Sequence, residues 1–229
     1  MANEQLAKVL EESRKCNDFT EISFDFLVDL IHSALQFEDP SIKTEDVYKV
    51  LKGDYTGVNS EKVIDITNQK NAFNKVVSMV KNKEEMTENA LKDLHQILCE
   101  GTNIVGGLYR NVNISVKGSN HTPCDYLKVY DRMGKYFDYL AYESGNEWEF
   151  ISYSHLQLAK IHPFLDANGR LARLVLNYEL MKHNYKPVII TRDEKEEYLK
   201  VLETFKVEKE IKPFMDFLEK LELESLERK

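Results

Sequence analysis

Cysteine is scarce. The three present in 229 residues, Cys16, Cys99 and Cys124, are odd in number, far apart and in no CxxC-type spacing. That argues against a disulfide framework and a thiolate metal site, and reduced, inert thiols are expected. Long apolar runs are missing too. No stretch approaches the ~20 residues needed to cross a bilayer. Met1 to Gln5 lacks the basic region and apolar core of a signal peptide. A cytoplasmic location with no membrane partner is therefore expected. Positive charge is in deficit, with 31 Lys and Arg against 39 Asp and Glu, a net −8. Nucleic-acid binding relies on many basic contacts to phosphates, so no nucleic-acid partner is expected. A phosphate ligand would need a local basic site instead.

What remains is 42% hydrophobic and 31% charged, ordinary for a chain that buries a core. No internal repeat, low-complexity tract or linker divides it, so residues 1–229 read as one domain. Within it, 1–58 is an N-terminal helical region, 59–205 a core and 206–229 a C-terminal helix. Phe24, Leu27, Leu30, Ile31, Ala34 and Leu35 recur at helical spacing until Asp39-Pro40, which places Glu38 in the last turn. Helical periodicity continues over roughly 44–52, 60–81, 87–100, 124–142 and 147–161, and resumes near Asn168 with Leu171, Leu174, Val175, Tyr178 and Met181 on one face. Thr191 with Glu194 forms a capping-box pattern for a helix to about Phe205, and 214–226 reads as a last amphipathic helix. The chain is mainly α. Val112, Ile114 and Val116 alternate with Asn113 and Ser115, which reads either as a short strand or hairpin arm or as a simple connector.

The chemistry concentrates between His162 and Arg173. A small-residue turn, Ala167-Asn168-Gly169, leads into a helix N-terminus, where free N–H groups and the macrodipole attract anions. Gly169 permits close approach of a phosphate. Arg170 and Arg173, three apart, project from neighbouring positions and can clamp a polyphosphate. Asp166 is a hard oxygen ligand suited to Mg²⁺, and His162 suits a general base because the unperturbed imidazole has a near-neutral pKa. Phe164 reads as a core anchor and Pro163 as a helix stop.

This segment, HPFLDANGRLAR, resembles the signature HPFx[DE]GNGRxxR of the Fic family at His162, Pro163, Phe164, Asp166, Asn168, Gly169, Arg170 and Arg173. Gly107-Leu108-Tyr109-Arg110 and the alternating residues after it resemble the family's GxYR segment. Gly118, Ser119, Asn120, His121 and Thr122 resemble its target-binding flap. The resemblance spans about residues 41–198. It implies a mainly α Fic fold, a helical bundle with a short β-hairpin flap near the active site. It also implies a protein adenylyltransferase that uses ATP and Mg²⁺ to move AMP onto Ser, Thr or Tyr hydroxyls of a target protein, with itself as a further target. His162 would be the base and Asp166 the metal ligand. Ala167, Asn168, Gly169 and Arg170 would surround the α- and β-phosphates, and Arg173 would meet the γ-phosphate. Ala167 stands where the family has its first glycine, as in the related Doc toxins, which transfer phosphate; Gly169 departs from the Doc lysine.

Glu38 resembles the glutamate of the family's inhibitory helix, which pairs with the second arginine, here Arg173. Ala34 and Asp39 depart from that helix's [ST]xxxE[GN] pattern. Within the family, transfer of phosphate or UMP and removal of AMP stay open, as does a homo-oligomer. Two readings lie outside it. One is a metal-dependent phosphohydrolase ligated by His155, His162 and Asp166, and the other a non-catalytic helical module that binds nucleotide. A structural role is expected for His155.

Overall fold

Four short polar side chains start four of the helices. Ser23, Asn59, Thr87 and Asn146 each accept a backbone N–H from the first turn that follows, satisfying donors that have no intrahelical partner. In a computed structural model, residues 20–116, 122–142 and 145–227 are described. They form α1 (Phe24–Gln36), α2 (Thr44–Leu51), α3 (Ser60–Lys81) and α4 (Glu88–Leu98). After a 3₁₀ turn (Tyr126–Lys128) come α5 (Val129–Ala141), α6 (Glu147–Ile161), α7 (Asn168–Lys182), α8 (Lys195–Glu208) and α9 (Lys212–Glu227). None of the described helices is long and apolar enough to cross a membrane.

Helix α7 is the axis of the molecule. It packs on α6, α3, α4 and α1, and Leu171, Ala172, Leu174, Val175, Leu176, Tyr178 and Leu180 are all at most 2% exposed. The helix is buried around its circumference, polar Asn177 and Glu179 included, so the single face expected from the sequence understates its burial. Its N-terminus meets the end of α6, which fixes the joining loop between two core elements.

Three expectations need correcting. Among the described residues there is no strand, and 112–116 run without regular secondary structure. The β-hairpin is therefore absent from that arm. Asn113 instead spends its side chain on Asp125 and the Tyr126 N–H, which closes the segment onto the 3₁₀ turn. Gly118, Ser119, Asn120 and His121 lie outside the described residues, and Thr122 is exposed. Glu38 is not in the last turn of α1. The helix ends at Gln36 with Phe37 as its C-cap, and the Glu38 N–H returns to the Leu35 carbonyl at 3.0 Å. The capping pair before α8 is also reversed in part: both the N–H and the hydroxyl of Thr191 donate to Glu194 at 2.7 Å.

Candidate active site

Helix α6 stops because His162 turns left-handed, at φ 52° and ψ 62°, while its N–H still reaches the Leu158 carbonyl. The loop that follows is held by its carbonyls. The buried Arg110 guanidinium donates through Nε to the His162 carbonyl at 2.9 Å, and the Arg110 backbone N–H donates to the Pro163 carbonyl at 2.9 Å. The same guanidinium also donates to the carbonyls of Val112 and Cys124. Asn168 braces Phe164 at two points: its Oδ1 accepts the Phe164 N–H and its Nδ2 donates to the Phe164 carbonyl, each at 2.9 Å. Phe164 is fully buried between the stacked ring of His95, 3.8 Å away, and Tyr109 at 5.3 Å. The Asn168 side chain is thus committed to the loop.

His162 keeps its side chain at the loop's start, half-buried, with Nδ1 3.3 Å from the Ala159 carbonyl. At the other end, Asp166 is exposed and its Oδ1 accepts the Ala167 N–H at 2.7 Å. Ala167 is left-handed, at φ 56° and ψ 9°, and is the N-cap of α7 without a capping side chain. A Cβ in that conformation costs about 1–2 kcal/mol, so the alanine occupies a position whose backbone suits glycine. The first α7 hydrogen bond runs from Leu171 N–H to the Ala167 carbonyl. The N–H groups of Asn168, Gly169 and Arg170 consequently have no intrahelical acceptor, and the positive end of the dipole is open to an anion. At Gly169 a Cβ would stand 3.3 Å from the Arg173 guanidinium, so a side chain there would crowd the second arginine.

The two arginines turn toward the N-terminal region. Arg170 Nε lies 3.0 Å from Glu38 Oε2, and Nη1 lies 3.5 Å from Asp65 Oδ1. The Nε–H points off the line to Glu38, making this an ion pair without an aligned hydrogen bond. Burial lifts the Asp65 carboxyl above its usual range, and Arg170 opposes the rise. Arg173 does not meet Glu38, contrary to the family pattern. It donates to the Ala34 carbonyl at 3.0 Å, with its guanidinium 4.4 Å from the centre of the Phe37 ring. The end of α1 presents a carbonyl and a ring to Arg173, while Glu38, past the helix, reaches the first arginine. Glu38, Asp65, Asp166, Ala167 and Arg170 line a cleft of about 410 Å³ beside the N-terminus of α7.

The bracing roles of two residues of this frame were not expected from the sequence. Arg110 was visible only as part of a motif. His95 gave a weaker signal, a histidine on the apolar face of α4 among Leu91, Leu94 and Leu98. Gly107 N–H donates to its Nδ1 at 2.9 Å, so Nε2 carries the proton and donates to the Asp166 carbonyl at 3.1 Å. Burial holds this imidazole down to about 4. His155 is likewise fully buried, with Nδ1 on the Ala172 carbonyl and Nε2 on the Tyr198 hydroxyl, both at 3.0 Å. Both its nitrogens are engaged, which removes it from the three-residue metal set. Burial also pushes the Cys99 thiol up, as an inert cysteine requires.

Residues 85–180 match the Fic/DOC family. The chain is 33% identical over 140 residues to the protein adenylyltransferase Fic of Drosophila grimshawi, covering 59% of this chain and 28% of that one. It is 30% identical over 145 residues to the protein adenylyltransferase Fic of Nematostella vectensis, covering 62% and 33%. The chain thus spans a third or less of these curated relatives. Among solved structures, a Fic domain-containing signaling protein of Bacteroides thetaiotaomicron superposes with a TM-score of 0.84 at 21% identity, over 96% of this chain and 94% of that one. Fic-1 of C. elegans, residues 134–508, gives 0.81 at 17% identity over 99% and 71%. These two establish the likeness of fold.

Proposed function

We propose that this chain, which carries a Fic/DOC family domain in residues 85–180, transfers AMP from ATP to Ser, Thr or Tyr hydroxyls of a protein target, itself included. The observation that carries this reading is the uncapped N-terminus of α7, with Asp166 and Arg170 beside it and a braced loop leading to His162. Free N–H groups at a helix start suit phosphate oxygens. A base fixed nearby suits an attacking hydroxyl.

Mg²⁺ binds through one or two carboxylates together with phosphates and water. Among the described residues no cluster of three or more His, Cys, Asp or Glu could hold a metal, whereas Asp166 is exposed and oriented by the Ala167 N–H. The residues therefore fit Mg²⁺ arriving with a nucleotide better than a metal held by protein alone. Bound there, Mg²⁺ would neutralise charge on the phosphates.

His162 accepts the proton of the target hydroxyl. The hydroxyl oxygen forms its bond to the α-phosphorus as the bond from that phosphorus to the β-bridging oxygen breaks, and pyrophosphate leaves. Backbone N–H groups of Asn168 to Arg170 hold phosphate oxygens, and the two arginines take the remaining charge. Positioning and electrostatics of this kind are the main protein contribution to such transfers. Glu38 and the end of α1 restrain this activity by occupying Arg170 and Arg173.

Intact-mass measurement after incubation with Mg-ATP, alone and with a cell lysate, tests the reading. Addition of AMP that disappears in His162→Ala supports it. A phosphate increment would instead indicate Doc-like transfer, and nucleotide binding with no covalent product would leave a non-catalytic module.

A further inference from the structure

The peptide joining Asp166 to Ala167 carries two contacts on opposite sides. Its carbonyl accepts from His95 Nε2 at 3.1 Å, across a separation of 71 residues, and its N–H meets Asp166 Oδ1 at 2.7 Å. A second donor to that carbonyl, Asn168 Nδ2, is longer at 3.4 Å. Because a trans peptide is planar, with C=O and N–H directed oppositely, fixing the carbonyl also fixes the N–H and the carboxylate that receives it. The same plane sets φ of Ala167, which is left-handed although the residue bears a Cβ. Rotation of this one peptide would relieve Ala167 and turn the N-terminus of α7 away from its present direction.

We propose that His95 is a positioning residue: by anchoring the Asp166 carbonyl it keeps Ala167 left-handed and so holds the Asp166 carboxylate and the open N–H groups of α7 in one arrangement. The inference rests on reading that end of the site as the place for phosphate and metal.

The surroundings of His95 are built for the contact. The imidazole is 0% exposed and stacks on Phe164 with rings inclined by only 10°. Its other nitrogen receives Gly107 N–H. That segment lies flush against α4 because a Cβ on Gly106 would fall 2.5 Å from the Gln96 Cα, and Gly107 is at φ 74°. An apolar residue could fill the volume. Only a side chain that accepts at one end and donates at the other joins Gly107 to Asp166.

The experiment compares wild type, His95→Phe, Ala167→Gly and the double variant. Phenylalanine keeps a ring against Phe164 and removes both hydrogen bonds; His95→Leu, which also removes both, takes its place if that protein does not fold. Backbone chemical shifts at residue 167 in the ligand-free protein report its φ, and calorimetric titration with Mg-ATP reports the site. His95→Phe is expected to move the Ala167 shifts out of the left-handed range. It should also weaken Mg-ATP binding by about tenfold, the worth of one lost hydrogen bond. Glycine tolerates the left-handed region without the anchor, so the double variant should recover most of that loss. Left-handed shifts that persist in His95→Phe overturn the proposal, as does a double variant that binds no better than His95→Phe. Wild type that fails to bind Mg-ATP would instead sink the proposed function, and the shifts would still decide the role of His95.

Discussion

Glu38 Oε2 stands 3.0 Å from Arg170 Nε, with the arginine side chain 8% exposed and the glutamate 43%. A pair so open on one side, and imperfectly aligned, is worth roughly 0.5–1 kcal/mol. Asp65 keeps a second carboxylate on the same guanidinium. Glu38→Gly should therefore tighten Mg-ATP binding only about two- to fivefold, with a matching rise in auto-modification by labelled ATP. An unchanged affinity would remove Glu38 from the restraint.

Arg173 is the more firmly held of the two. A charged hydrogen bond to the Ala34 carbonyl and a cation–π contact with Phe37 together exceed the Glu38 pair in expected strength. Adding Phe37→Ala to Glu38→Gly should raise Mg-ATP affinity by about a further fivefold, with thermal melting used to confirm that the protein stays folded. Equal affinity in the single and double variants would show that the Phe37 ring does not restrain Arg173.

Ala167→Gly should leave stability nearly unchanged. Relief of the left-handed Cβ gives back about 1–2 kcal/mol. Loss of a buried methyl costs ~0.8 kcal/mol, and the greater freedom of glycine in the unfolded chain costs a further 0.5–1 kcal/mol, roughly. The midpoint of thermal unfolding should stay within about 4 °C of wild type. A much larger drop would mean that the methyl packs more tightly than its conformation suggests.

Burial holds His155 down to about 4 from an ordinary 6.5. The unfolded chain binds the proton more readily, so the stability this residue contributes is present above pH 6.5 and is lost as pH falls toward 4. The full loss is about 3 kcal/mol. Urea unfolding of wild type and His155→Gln between pH 7.5 and 4.5 checks this. The variant should be less stable at neutral pH and show a shallower decline on acidification; parallel curves would assign the acid sensitivity to other groups.

Periodicity and capping belong to neighbours three or four residues apart, so the spans of α3 and α6 and the start of α7 are legible in the chain, whereas the end of α1 is not. The motif from His162 to Arg173 is legible for the same reason, since its turn and its two arginines are local. Sequence by itself thus determined a mainly α protein with a phosphate-suited helix start. Only the tertiary structure decided that Glu38 meets Arg170, that Arg173 lies against Phe37, that Ala167 is left-handed and that His95 holds the Asp166 carbonyl. Those contacts join residues 71 and 139 positions apart, as for His95 with Asp166 and Arg173 with Ala34. Their geometry depends on how α1 and α4 are oriented against α7, which no local spacing encodes.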